Sequence, residues 1–225
     1  MGQGISEVLP YAIGIAVSPI PIVAIILILF STRARVNGPA FLAGWVVGLA
    51  VASTVVYLLS EAADVGSDSG ASDTTSWGKI VLGVALLGLA RRNWAKRPKV
   101  GETPALPKWM ATVESITPAR AFGLALLLSV VNPKNLILAV GAAAGLSQLD
   151  LDTTDAVVAL AVFVAVASSS VAFAVVYDLV GGEKARTTLD ELKEWMTAHN
   201  NAVMSVLFLV FGVVLISNGM GPLSV

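Results

Sequence analysis

Lys134 is the residue of this 225-residue chain whose type and place most demand a chemical account. It lies in the stretch SVVNPKNLILAVGAAAG, about halfway along an apolar run from about Ala121 to Gly145. A charged Lys at the centre of a bilayer-spanning helix costs roughly 2.5–3.5 kcal/mol on insertion. No Asp or Glu falls in the middle of any comparable run to pair with it. Lys134 therefore loses its proton, donates to carbonyls at a helix break, or holds an anionic ligand. The bland alternative is a short or re-entrant run that leaves it at an interface. An earlier stretch, AVSPIPIVAIILILFS, has the same order of small polar residue, Pro and apolar run. Ser18–Pro19–Ile20–Pro21 aligns with Asn132–Pro133–Lys134–Asn135 at a constant offset of 114 residues.

Proline has no N–H, and its ring collides with the carbonyl four residues earlier. Pro19 and Pro21 should open the first run near its middle, and Pro133 should open the later one. Backbone groups freed inside a membrane need protein neighbours or a water-filled cavity. The half-helix N-termini after Pro19 and Pro133 would add partial positive charge and free N–H donors. Ser18, Asn132 and Asn135 would add hydrogen bonds. Together with Lys134 this set favours an anionic group such as phosphate, sulfate or carboxylate. Two plain proline kinks are the alternative, but matched breaks flanked by polar residues are the better sequence pointer to a midplane site.

Other chemistries are narrowed by composition. The chain has no Cys and one His, His199, so a zinc or iron–sulfur site built from those ligands and any disulfide are excluded. HExxH, GxSxG and paired intramembrane acids are absent, so an enzyme is not expected and no cofactor is called for. A net charge of −1 gives no reason to expect nucleic acid.

The elements that must position these residues are long apolar helices. Of the residues 56% are hydrophobic and only 13% charged, against about 25% in soluble domains. The runs approach the twenty residues needed to cross roughly 30 Å of hydrocarbon. Six spans are expected, at about Val8–Phe30, Pro39–Leu59, Trp77–Leu89, Ala121–Gly145, Asp155–Leu179 and Ala202–Asn218. All but two of the 14 Lys and Arg residues fall in alternate loops, the exceptions being Lys79 and Lys134. Because Lys and Arg mark cytoplasmic loops, both termini should lie outside the cytoplasm. The fold class is thus an all-α membrane protein with six transmembrane helices as a 3+3 inverted repeat, helices 1 and 4 being broken. The expected parts are a first repeat over 1–90, a basic cytoplasmic linker over 91–119 and a second repeat over 120–225. Glu61 to Ser76 reads as a flexible external loop. Thr187 to His199 reads as an amphipathic helix, on the membrane interface or packed on the protein, with Thr188 and Glu191 as a capping box. Ser53, Thr54, Tyr57 and Ser168–Ser170 read as hydroxyls bonded within the helix bundle. The pairs Gly44/Gly48 and Gly141/Gly145 read as helix-packing positions.

Two stretches carry a resemblance: SPIPIVAIILILFSTRARVNGPAFLAGWVVG (18–48) and SVVNPKNLILAVGAA (129–143). With the six spans and the basic linker, the chain resembles the GAP family of glycopeptidolipid-addressing and sulfolipid-addressing proteins, within the lysine-exporter superfamily. Many exporters of that superfamily have Gly between the two prolines; here the position is Ile20, which argues against an ordinary amino-acid exporter. The resemblance implies a cytoplasmic-membrane protein that helps move cell-envelope glycolipids outward; with the Lys134 set, the expected partners are an anionic lipid or glycolipid and the bilayer. The alternatives are a proton-coupled exporter of a small solute, or an accessory protein of a larger lipid exporter. A second copy of the chain, as a homodimer, and a larger lipid-export complex are open as partners.

Overall fold

The computed structural model describes residues 1–65, 71–98, 113, 115–149 and 151–220. Of the stretch 61–76 expected to be a loop, residues 61–65 and 71–76 are helical, extending the neighbouring helices, and 66–70 lie outside the described residues, as does most of the basic linker. Seven helices follow in order: α1 (Gly2–Ala16), α2 (Pro19–Leu29), α3 (Ala34–Val65), α4 (Ala71–Ala95), α5 (Pro118–Val130), α6 (Pro133–Ser147) and α7 (Thr153–Met220). No strand occurs among the described residues.

Length and hydropathy make this a membrane protein. Residues 34–62 of α3 and the whole of α7 are apolar and long enough to cross a bilayer. The pairs α1–α2 and α5–α6 each meet the same test as one broken span, bent by 53° and 59°. That gives up to four candidate spans, fewer than the six expected. The difference has two sources. α4 fails the test because it is less apolar. α7 joins the expected fifth and sixth spans through helical residues, broken only at Gly182 (φ 58°, ψ −140°). Only glycine adopts that backbone at little cost, having no Cβ to clash. Gly182 divides α7 into a first arm (153–181) and a second (183–220).

Contacts show that the second arm folds back on the first. The first arm pairs with α3: Gly38 approaches Val175 near one end, and Glu61 and Thr153 line a common cavity at the other. The second arm pairs with α4, where Ser205 Oγ donates to Ala90 O (2.7 Å) and Asn201 Nδ2 to Lys96 O (2.6 Å). A methyl group at Gly83 would come within 2.7 Å of Gly212 O, so here two backbones touch. Residues 187–199 are helical and continuous with the last span rather than a separate element. Leu189 and Met196 are buried, while Trp195 is exposed. Thr188 caps nothing; its hydroxyl donates to Lys184 O within the helix (3.1 Å).

The core gathers large side chains from every layer, among them Tyr11, Phe41, Trp45, Leu138 and Phe163. The outside is also apolar: Val51, Leu58, Val84, Phe173, Val210 and Val213 are more than half exposed or close to it. In water, contiguous exposure of that kind is a liability. Facing lipid tails it is the solvated surface, and burial of the polar minority becomes the discriminating feature.

Candidate functional site

Each broken span bends where the sequence places its prolines. Ser18 and Asn132 are the N-caps of α2 and α6, with nearly identical backbone angles (φ −68°, ψ 120° and φ −65°, ψ 115°). Pro19 and Pro133 take the first helical position, where a missing N–H is harmless to the new helix. The effect falls on the helix before. Pro19 and Pro21 have no N–H to give Ile15 and Val17, and Pro133 has none to give Ser129.

The N-cap N–H could have served the carbonyl four residues back, but the break redirects it. Ser18 N donates to Ile15 O (3.0 Å), leaving Gly14 O without its helical donor. Into that vacancy reaches Lys134, whose Nζ donates to Gly14 O at 2.6 Å. At the second break the corresponding carbonyl, 114 residues later, is Leu128 O. It accepts from Asn135 Nδ2 at 3.1 Å. Freed carbonyls at equivalent places in the two breaks are thus both satisfied by side chains of the first turn of α6.

Lys134 is only 3% exposed and Asn135 is fully buried. Among the described residues no carboxylate forms an ion pair with Lys134. Of the three fates that the sequence leaves open for this residue, the structure shows it bonded to a carbonyl. The α1 C-terminus supplies partial negative charge to the ammonium. That contact also joins the two breaks, so residues 120 positions apart share one buried locus. Asn132 Oδ1 accepts from Lys134 N (3.1 Å), an N-cap bond that orders the first turn of α6. Ser18 makes no such cap, and among the described residues its buried hydroxyl has no hydrogen-bond partner. Asn135 Oδ1 is likewise buried and unpartnered. The locus therefore has one lysine amino group and two polar oxygens, from different breaks, without a partner among the described residues. Pro19 and Pro21 are buried beside it on α2.

Glycines let the surrounding helices close in. A methyl group at Gly44 would lie 2.3 Å from Phe122 O, so α3 and α5 meet backbone to backbone. Gly141 takes the ring of Tyr11, and Gly145 takes the Glu7 carboxylate. These are the small-residue pairs read from sequence, and packing accounts for them. Ser53 likewise bonds within its own helix, to Leu49 O (2.8 Å).

Two polar residues escape sequence reasoning as site elements. Lys79, 6% exposed, donates to Gln148 Oε1 at the far end of α6 (2.5 Å). Its signal was present: Lys79 and Lys134 are the two basic residues outside the basic loops, and both are buried. Asn37 is fully buried and donates to Ser31 Oγ (3.0 Å) and Ile116 O (2.9 Å), tying the start of α3 to the segment before α5. Nothing in its sequence context marks it.

The family model described as Sap, sulfolipid-1-addressing protein, matches residues 8–221, a stretch that contains both breaks and all the site residues. The chain belongs to this family. That membership agrees with the sulfolipid-addressing resemblance carried by residues 18–48 and 129–143. No curated protein and no solved structure matches the chain. The roles of individual residues in this sulfolipid-1-addressing family member accordingly rest on the geometry above.

Proposed function

We propose that the protein is a transporter of the cytoplasmic membrane that moves an anionic lipid or glycolipid of the cell envelope outward. Its site is the locus where the two broken helices meet, with Lys134 as the anion-binding cation. The hydrogen bond from Lys134 to Gly14 O carries this reading. A buried ammonium with one neutral acceptor and no counter-ion is under-satisfied. An incoming phosphate, sulfate or carboxylate offers it a charge-assisted bond, roughly twice as strong as a neutral one. Asn135 and Ser18 would orient the remaining oxygens, and the α2 and α6 N-termini would add their partial positive charge.

The matched N-cap angles, the similar bends and the order of broken helix followed by two long helical stretches in each half support six crossings as a 3+3 inverted repeat. In that reading the two arms of α7 cross separately and α4 crosses despite its polar start. The charge bias of the basic loops supports a topology with both termini outside the cytoplasm. Membership of the sulfolipid-1-addressing family supports a lipid over a small solute. The lysine-exporter relationship fits the same plan.

The test is transport by the full chain in proteoliposomes. Vesicles would carry a fluorescent anionic lipid, with appearance in the opposite leaflet as the readout. Wild type should move the lipid unaided and Lys134→Ala should not. Full activity of Lys134→Ala would remove the residue from the mechanism. No movement by wild type would favour an accessory role.

A further inference from the structure

The cavity between α3 and the first arm of α7 has no part in the Lys134 locus. It encloses about 680 Å³. Ala50 of α3 and Val157, Ala161 and Val164 of α7 form apolar walls. Val51, Val55, Leu58 and Val157, on or beside those walls, are largely exposed, so the mouth opens onto the apolar outer surface. In a membrane that surface meets hydrocarbon, and the natural filler is an acyl chain. From Val46 to Glu61 the cavity follows α3 for about 22 Å at 1.5 Å per residue, most of the way across a hydrocarbon core of roughly 30 Å and long enough for an acyl chain.

The polar groups of the cavity are not scattered. Ser53, Tyr57 and Glu61 recur every four residues and so share one face of α3. Glu61 and Thr153 stand together at the end remote from the basic loops. The Tyr57 hydroxyl is hydrogen-bonded to the Glu61 side chain. Among the described residues no Lys or Arg lines the cavity. A carboxylate with a phenol and a threonine hydroxyl accepts from sugar or glycerol hydroxyls, and it repels phosphate or sulfate.

We infer that the α3–α7 groove is a lateral binding site for an amphiphile with an uncharged, hydroxyl-bearing headgroup, its acyl chain lying along Ala50, Ala161 and Val164 and its hydroxyls on Glu61, Tyr57 and Thr153. The inference rests on the lipid-transport reading, and it gives the groove a lipid other than the anionic one that Lys134 binds. The two sites therefore select opposite features, charge at the helix breaks and neutral hydroxyls at the groove.

The experiment uses the full chain in nanodiscs, with lipid retention read by native mass spectrometry. The probes are a glucosyl diacylglycerol and phosphatidic acid with the same acyl chains. In the Lys134→Met background, which removes the proposed anion site so that phosphatidic acid reports on the groove alone, the chain should retain the glucosyl lipid about tenfold over phosphatidic acid, and the groove variants are read in that background. Glu61→Gln, at an exposed rim position and so without consequence for folding, keeps hydrogen bonding but loses charge. It should bring phosphatidic acid to parity. Ala161→Trp fills the groove and should lower glucosyl-lipid retention about tenfold, with Ala161→Leu giving a smaller loss in the same direction. Equal retention of both lipids in the Lys134→Met background, or unchanged retention in both Ala161 variants, would overturn the groove as a selective site. Lys134→Met separates the two readings: it should abolish transport and leave groove retention unchanged. Normal transport by Lys134→Met with groove selectivity intact would sink the Lys134 reading and leave the groove standing.

Discussion

The two helix breaks share a backbone and differ in chemistry. Ser18 and Asn132 have the same cap geometry, and Pro19 and Pro133 start the next helix in the same way. Yet the second break supplies the hydrogen bonds for both. Lys134 and Asn135 satisfy Gly14 O and Leu128 O, whereas the residues at their places in the first half are Ile20 and Pro21, which have no side-chain donor. Backbone geometry follows from proline placement alone, so it survives wide sequence change. Polar function needs only one copy, and one copy keeps the number of costly buried groups low. The resulting locus is chemically one-sided although the two breaks have matching backbones.

Removing the one-sided feature should have the largest effect. Lys134→Met keeps much of the side-chain volume and deletes the ammonium. Lipid movement in proteoliposomes should fall at least tenfold, equivalent to about 1.4 kcal/mol or more. Stability should change much less, because losing the Gly14 O contact is offset by losing a buried charge. A large drop in melting temperature with transport preserved in the surviving fraction would reverse the assignment and make Lys134 a structural staple.

The packing of the two breaks offers a second contrast. Before the second break, α5 is held against α3 by contact of Gly44 with the Phe122 carbonyl at a would-be 2.3 Å. Before the first break, Gly14 of α1 faces the Phe211 ring at a would-be 2.4 Å. Rings can turn and backbones cannot. Gly44→Ala should therefore destabilise by about 2–3 kcal/mol and Gly14→Ala by about 1 kcal/mol, within the range for overpacked cores. Thermal unfolding in detergent compares them, and equal losses would mean that both interfaces yield to the same degree.

How much of this was legible beforehand depends on the range of the interaction involved. Proline acts within one turn, so the bends at Ser18/Pro19 and Asn132/Pro133 were readable from local chemistry, as was the candidate set around them. The partner of Lys134 was narrowed to a class, freed carbonyls, but not to Gly14 O, because 120 residues of chain had to fold first. Asn37 was missed for the same reason: its acceptor at Ile116 lies 79 residues away. The last span is joined to what precedes it. The charged stretch from Thr187 to His199 is helical, as its spacing suggests, and nothing in it breaks the helix, so α7 runs through it to Met220. Its only interruption is Gly182, one of many glycines and unremarkable in sequence.

Asn135 tests whether the second break depends on its own donor. Asn135→Leu removes the bond to Leu128 O and leaves a buried carbonyl unpaired, at about 1–2 kcal/mol. It also removes the unpartnered Oδ1, which limits the loss. Asn135→Asp keeps the acceptor and not the donor, so it should destabilise more than the Leu variant by adding a buried charge. The reverse ranking in thermal unfolding would show that the Leu128 bond contributes little.

The smallest effect should separate the two caps. Asn132 accepts from Lys134 N, and losing an N-cap of this kind costs about 1 kcal/mol. Ser18 makes no cap bond, so Ser18→Ala should leave stability unchanged or raise it slightly by removing a buried hydroxyl without a partner. Its role, if it has one, is toward ligand. The informative pattern is therefore crossed: Asn132→Ala lowers the melting temperature more than it lowers transport, while Ser18→Ala lowers transport at unchanged melting temperature. If Ser18→Ala is silent in both, the first break contributes to the site only through the Gly14 carbonyl and the α2 N-terminus, and all side-chain recognition belongs to α6.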